Sequence, residues 1–108
     1  MSHISAHVLD AAAGVPAAAV SVRLTDADGV TVAESLTDDD GRVGDLGPDR
    51  LEPGVYQVAF GSGDYFAARR VDCFHPEVLV RFSVVADQAH YHIPLLLSPY
   101  SYTTYRGS

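Results

Sequence analysis

The sequence predicts an all-β protein, an antiparallel β-sandwich of seven to eight strands in two sheets with one short helix. Three observations predict it. Apolar residues recur at every second position through most of the chain. Clusters of Gly, Pro and Asp interrupt that alternation at regular short intervals. A single stretch, residues 65–70, holds two alanines and no β-branched residue, which is the profile of a helix.

The elements follow in order. In the first strand Ile4, Ala6 and Val8 share one face, and Ser5, His7 and Leu9 the other. Gly14-Val15-Pro16 interrupts. Val20, Val22 and Leu24 form the apolar face of a second strand, opposite Ser21, Arg23 and Thr25. Ala27-Asp28-Gly29 signals a hairpin, because Gly supplies the positive φ that tight turns require. Residues 30–37 return as a third strand. Asp38-Asp39-Asp40-Gly41 is a turn, with Arg42 directly after it. Residues 44–54, rich in Gly, Pro and charge, read as loop with at most one short strand. Residues 55–60 form another strand. Gly61-Ser62-Gly63 ends it, and Asp64 is placed to cap the helix by accepting its free amide hydrogens. Residues 77–85 and 90–97 are strands separated by a turn at Asp87-Gln88. Ser98-Pro99 precedes a last strand from Tyr100 onward. Pro94 lacks an N–H, so its strand lies near an edge, carries a bulge, or gives up a ladder bond.

A length of 108 residues predicts one domain spanning 1–108, and 47% hydrophobic residues supply its core. The formal charge of −7 disfavours nucleic acid, whose affinity comes from neutralised phosphates, and an anionic membrane surface. Lysine is absent, so Schiff-base chemistry is excluded and every cationic side chain other than histidine is an arginine. Cys73 is alone and cannot form an intrachain disulfide. The start, Met1-Ser2-His3-Ile4-Ser5-Ala6, lacks the basic head and apolar run of a signal peptide, and no apolar run has membrane-helix length. The expectation is a soluble cytoplasmic protein.

Candidate chemistry sits on alternate positions. His90 and His92 share a strand face, and Thr103, Tyr105 and Gly107 share a face of the last strand. If those two strands are neighbours, His92 and Tyr105 approach each other. His7 joins them if its strand lies in the same sheet, and Arg42 if its turn lies at the sheet's end. The ending Tyr105-Arg106-Gly107-Ser108 carries aromatic bulk and a guanidinium to a chain end that would ordinarily fray, which points to a site built there. The plainer readings are weighed beside these. His3 and His75 read as ordinary structural or loop histidines. His90-x-His92 has the spacing of a metal pair but no patterned third ligand, so no metal and no cofactor is expected. Asp38-Asp39-Asp40-Gly41 faintly echoes a calcium loop but lacks the downstream glutamate. Composition and periodicity give a sandwich with polar residues on one face, and do not name an activity.

Three separated blocks carry a resemblance. Ser5-Ala6-His7-Val8-Leu9-Asp10 with Gly14-Val15-Pro16-Ala17 is the first, Thr37-Asp38-Asp39-Asp40-Gly41-Arg42 the second, and the run from His90 through Tyr102 the third. Together with the closing Tyr105-Arg106-Gly107-Ser108 they resemble the transthyretin-like proteins, and within them the enzymatic branch, the 5-hydroxyisourate hydrolases. The resemblance implies a transthyretin-like sandwich and a homotetramer, a dimer of dimers with sites at the subunit interface. In the hormone carrier of that fold the positions of His7, Arg42 and His92 hold a lysine, a glutamate and a threonine, so this sequence has the enzyme's residue at each. The variation at Ser5-Ala6 reads as harmless. The implied reaction is hydrolysis of 5-hydroxyisourate, with His7, Arg42, His92 and Ser108 as catalytic residues and His7, Arg42, Tyr105 and Arg106 binding substrate. Histidine suits the general base because its ordinary pKa lies near neutrality. Arginine suits an electron-rich ring and a growing oxyanion. The rival readings are a non-catalytic carrier of small aromatic ligands and a structural or adhesive sandwich.

Overall fold

The computed structural model describes residues 2–108; Met1, the first residue of the segment read for a leader, lies outside the described residues. Strand alternation converts directly into burial. β1 (Ile4–Asp10) turns Ile4, Ala6, Val8 and Asp10 inward and leaves Ser5, His7 and Leu9 half-buried on the outer face. β2 (Val15–Pro16) is a two-residue strand, where the sequence reads only an interruption, and it pairs with Leu9 and Asp10. Then come β3 (Ser21–Thr25), β4 (Thr31–Leu36), β5 (Arg42–Val43), β6 (Gly54–Phe60), α1 (Ser62–Ala68), β7 (Val78–Val84), β8 (Tyr91–Leu97) and β9 (Tyr102–Thr104). Among the described residues seven strands have three residues or more, within the seven to eight expected.

The strands form two sheets. One runs β2-β1-β8-β9 with β5 also paired to β1, and the other runs β4-β3-β6-β7. Their inner faces share one apolar core. Ile4, Val8, Leu95 and Leu97 come from the first sheet, and Val22, Leu24, Val58 and Phe60 from the second, all essentially sealed from solvent. Each such side chain contributes roughly 1.5–3 kcal/mol by leaving water.

Five expectations change. The last strand, expected from Tyr100 onward, spans only Tyr102–Thr104. The sandwich is not wholly antiparallel, because β1 runs parallel to β8 with Ser5 opposite His92 and His7 opposite Pro94. Residues 44–53 contain no strand; the short strand is β5, just before them. Asp64 does not cap the helix. The N-cap is Gly61, without a side-chain bond, and Asp64 lies inside the first turn, where its charge still favours the helix N-terminus. The helix also stops at Ala68 rather than at residue 70, because Arg70 adopts φ 59° and the Val71 amide donates back to the Phe66 carbonyl at 3.0 Å.

Pro94 lies in a central strand, between β1 and β9. β9 pairs with residues 95–97, and the ladder lapses beyond Thr104. It resumes in the same register as an isolated bridge between His92 and Gly107. The break falls opposite Pro94, which has no amide to give. Its carbonyl is satisfied instead by the Thr104 hydroxyl at 2.8 Å. A ladder bond is given up at Pro94, and the chain returns to the sheet at Gly107.

A buried carboxylate anchors the helix to the sheet. Asp10 Oδ1 accepts from the amides of Ala12 and Ala13 at 3.1 and 2.9 Å, and Oδ2 accepts from the Tyr65 hydroxyl at 2.9 Å. Burial first, then the hydrogen bond to Asp10 and that carboxylate's negative charge, pushes the Tyr65 hydroxyl up to about 12.

Candidate active site

The outer face of the first sheet collects the predicted polar residues. β1 contributes Ser5 and His7, β5 contributes Arg42, and β8 contributes His92. His7 pairs with Arg42 on one side and with Pro94 on the other. Residues directly opposite in paired strands share a face, so Arg42 and His7 project together. The His7 and His92 rings have centroids 6.4 Å apart and planes inclined by 37°.

The turn before β5 fixes Arg42. Asp38 Oδ1 accepts from the amides of Asp40 and Arg42, each at 2.9 Å, and the Gly41 amide donates to the Asp38 carbonyl at 2.9 Å. That carboxylate therefore works as a turn cap. Gly41 has φ 76°, and its carbonyl accepts from the Val8 amide at 2.7 Å, which ties the turn to β1. A Cβ at this position would overlap the Val8 carbonyl oxygen. The same turn aims the Asp40 carbonyl at His7, whose Nε2 lies 2.9 Å away. A carbonyl only accepts, so Nε2 carries the proton and Nδ1 of neutral His7 holds a lone pair.

His92 is held from two sides. Its Nδ1 lies 2.8 Å from Ser5 Oγ, and the same oxygen lies 2.9 Å from His90 Nε2. On the other side the Gly107 amide donates to the His92 carbonyl at 2.9 Å. A side chain at 107 would collide with the ring, since a Cβ there would stand 2.7 Å from His92 Cδ2. Burial first, then His7, Arg42 and His90 in turn, lowers the His92 pKa below its ordinary value and favours the neutral base.

The closing residues are less enclosed. Tyr105 and Arg106 are exposed and line a hollow of about 400 Å³ that also touches His92, Phe82 and Tyr91 but neither His7 nor Arg42. Ser108 is exposed. In this chain His7, Arg42 and His92 come together, Gly107 closes on His92, and Tyr105 and Arg106 line the hollow beside it, while Ser108 follows Gly107 in the open.

Three contributions were missed in the sequence. Ser5 was read as harmless variation, although alternation already puts it on the face of His7. The Asp40 carbonyl leaves no trace in side-chain chemistry. His90, read as a half-formed metal pair, shares a hydroxyl with His92. His3 is structural: it is 1% exposed, accepts from the Leu51 amide at Nδ1, and donates from Nε2 to the Gln88 carbonyl.

A sequence model of the HIUase/Transthyretin family matches residues 4–107, and the chain belongs to that family. A 5-hydroxyisourate hydrolase of Pseudomonas aeruginosa is 42% identical over 117 aligned residues, covering 100% of this chain and 93% of that one. A solved Klebsiella pneumoniae 5-hydroxyisourate hydrolase superposes with a TM-score of 0.90 at 31% identity, over 97% of this chain and 98% of the other. Transthyretin from Sparus aurata superposes equally well, with a TM-score of 0.91 at 32% identity over 99% and 97%. The backbone therefore does not choose between the family's two branches, and the choice falls to the side chains.

Proposed function

We propose that this protein hydrolyses 5-hydroxyisourate to 2-oxo-4-hydroxy-4-carboxy-5-ureidoimidazoline, a step in the degradation of urate to allantoin. The observation that carries the reading is the convergence of His7, Arg42 and His92 on one sheet face, with the His92 imidazole biased toward its neutral form. The Pseudomonas aeruginosa relative named 5-hydroxyisourate hydrolase, matching across the whole chain, supports it.

The chemistry follows from these groups. The oxygen of a water forms a bond to the cyclic amide carbonyl carbon, and an imidazole takes the water's proton. Negative charge grows on the carbonyl oxygen, where the Arg42 guanidinium offsets it. The carbon–nitrogen bond then breaks, and the proton held by the imidazole goes to the leaving nitrogen. His7 and Arg42 bind the purine-derived ring. Tyr105 and Arg106 wall the site, and Ser108 completes the catalytic set from the closing segment.

The same reading takes residues 1–108 as a single domain that works in the cytoplasm as a homotetramer, a dimer of dimers, with each site completed between subunits. Support comes from the edges. Among the described residues β7 ends its sheet with an unpaired side, and Leu79, Val85, Tyr100, Tyr102 and Tyr105 are exposed apolar surface. Sedimentation at micromolar concentration tests the assembly, and a monomer contradicts it.

The direct test generates 5-hydroxyisourate with a urate oxidase and follows its absorbance with and without the protein. Accelerated decay to the named product supports hydrolysis. Decay at the spontaneous rate, with an aromatic ligand retained unchanged, supports the carrier reading instead.

A further inference from the structure

A short hydrogen-bonded chain runs behind His92, and its direction can be assigned from one end. The Ser2 carbonyl lies 3.2 Å from His90 Nδ1, His90 Nε2 lies 2.9 Å from Ser5 Oγ, and Ser5 Oγ lies 2.8 Å from His92 Nδ1. The carbonyl can only accept, so His90 Nδ1 carries a proton. Nε2 of neutral His90 then has only a lone pair, and Ser5 must donate its single hydroxyl hydrogen to it. Ser5 is left as an acceptor toward His92, whose Nδ1 must carry the proton.

We propose that Ser5 is a positioning residue that, backed by His90 and the Ser2 carbonyl, locks His92 in the Nδ1–H tautomer and leaves Nε2 as the lone pair that receives the water's proton. The inference deepens the hydrolase reading and rests on it for the catalytic consequence, while the tautomer itself does not depend on it. With Nδ1 turned to Ser5 and Cδ2 packed against Gly107, Nε2 is the ring nitrogen left to meet a water. When His92 gains a proton at Nε2, its Nδ1–H still donates to Ser5, so the ring need not turn during the reaction. This is the orienting role a third group plays behind a catalytic imidazole.

The frame around the chain is tied down by hydrogen bonds. Ser2 is buried, its hydroxyl accepts from the Leu46 amide at 2.9 Å and donates to the Ile4 carbonyl, and its amide donates to Asp45 Oδ1 at 3.1 Å. The parallel register sets Ser5 directly beside His92. Only a doubly protonated His90 would reverse the chain, by donating from Nε2 to Ser5.

The test combines a spectroscopic and a kinetic reading. Histidine ¹⁵N spectra of the wild-type protein at about pH 8, above the ordinary imidazole range, report each tautomer. His92 is expected as protonated Nδ1 with unprotonated Nε2; the opposite tautomer overturns the proposal. Ser5→Thr and Ser5→Val have the same shape and differ in the hydroxyl. Ser5→Val is expected to mix the His92 tautomers and lower kcat by on the order of 10–100-fold with KM nearly unchanged, and Ser5→Thr to restore both. A Ser5→Val enzyme with wild-type kcat and tautomer overturns it. If the wild-type protein has the assigned tautomer yet does not hydrolyse 5-hydroxyisourate, the hydrolase reading fails and the tautomer assignment stands.

Discussion

The His92 ring lies against the backbone of Gly107, so close that a Cβ at 107 would stand 2.7 Å from Cδ2. The closing segment is thus fitted to the imidazole, and only glycine leaves room for it. Gly107→Ala is expected to displace the ring or break the Gly107–His92 bridge and to lower kcat/KM at least tenfold, with little change in thermal midpoint. Unchanged kinetics would mean that the segment lifts off His92 without consequence.

Gly41 couples conformation to placement. Its φ of 76° and the Val8 carbonyl behind it leave no room for a side chain. Gly41→Ala is expected to shift the turn, move Arg42 away from its register with His7, and destabilise the fold by about 1–3 kcal/mol. Chemical denaturation reads the stability, and the loss of turnover should exceed what the unfolded fraction explains.

Acid should silence the enzyme through His92. Its pKa is lowered by burial, His7, Arg42 and His90 in that order, so the neutral base persists below the ordinary value of 6.5. The acid limb of kcat/KM attributable to this group should therefore fall below that value. The stability effect has the same sign. As pH falls past the ordinary value the unfolded chain takes the proton first, so the folded state weakens with acidification until its own depressed pKa is passed. His92→Asn should reduce that slope in denaturation midpoints measured between about pH 7.5 and pH 5. A wild-type slope in that variant would assign the effect elsewhere.

Tyr65→Phe tests the anchor between helix and sheet. Removing the hydroxyl leaves buried Asp10 Oδ2 without its partner while the two amide bonds to Oδ1 remain. A loss of about 1–3 kcal/mol in unfolding free energy is expected, with kcat little changed because Asp10 faces the core.

Much of this was legible in the sequence. Alternation gave the strands, the inward set of Ile4, Ala6 and Val8, and the outward set that includes His7. The turn at 38–41 and the hairpin glycine at 29 were equally plain, because positive φ and aspartate caps are local chemistry. Strand pairing was not legible. Ser5 meets His92 across 87 residues through a parallel register that no local pattern encodes. Pro94 leaves three possibilities open in the sequence, an edge, a bulge or a lost ladder bond, and only β9 lying beside it shows the last to hold. Asp64 looked like a cap because residue preference does not register that Ser62 is pulled into the first turn by its bond to the His75 carbonyl at 3.0 Å. The grouping of His7, Arg42 and His92 was expected, while the partners that orient them were not.

The most direct measurement of whether these side chains form one catalytic unit is a double-mutant cycle on 5-hydroxyisourate decay. His7→Ala and His92→Ala are each expected to lower kcat/KM by on the order of 10²–10⁴-fold, with the double variant losing far less than the product of the two. Single variants that decay the substrate as fast as the wild-type protein, or a wild-type protein no faster than buffer, would contradict the account.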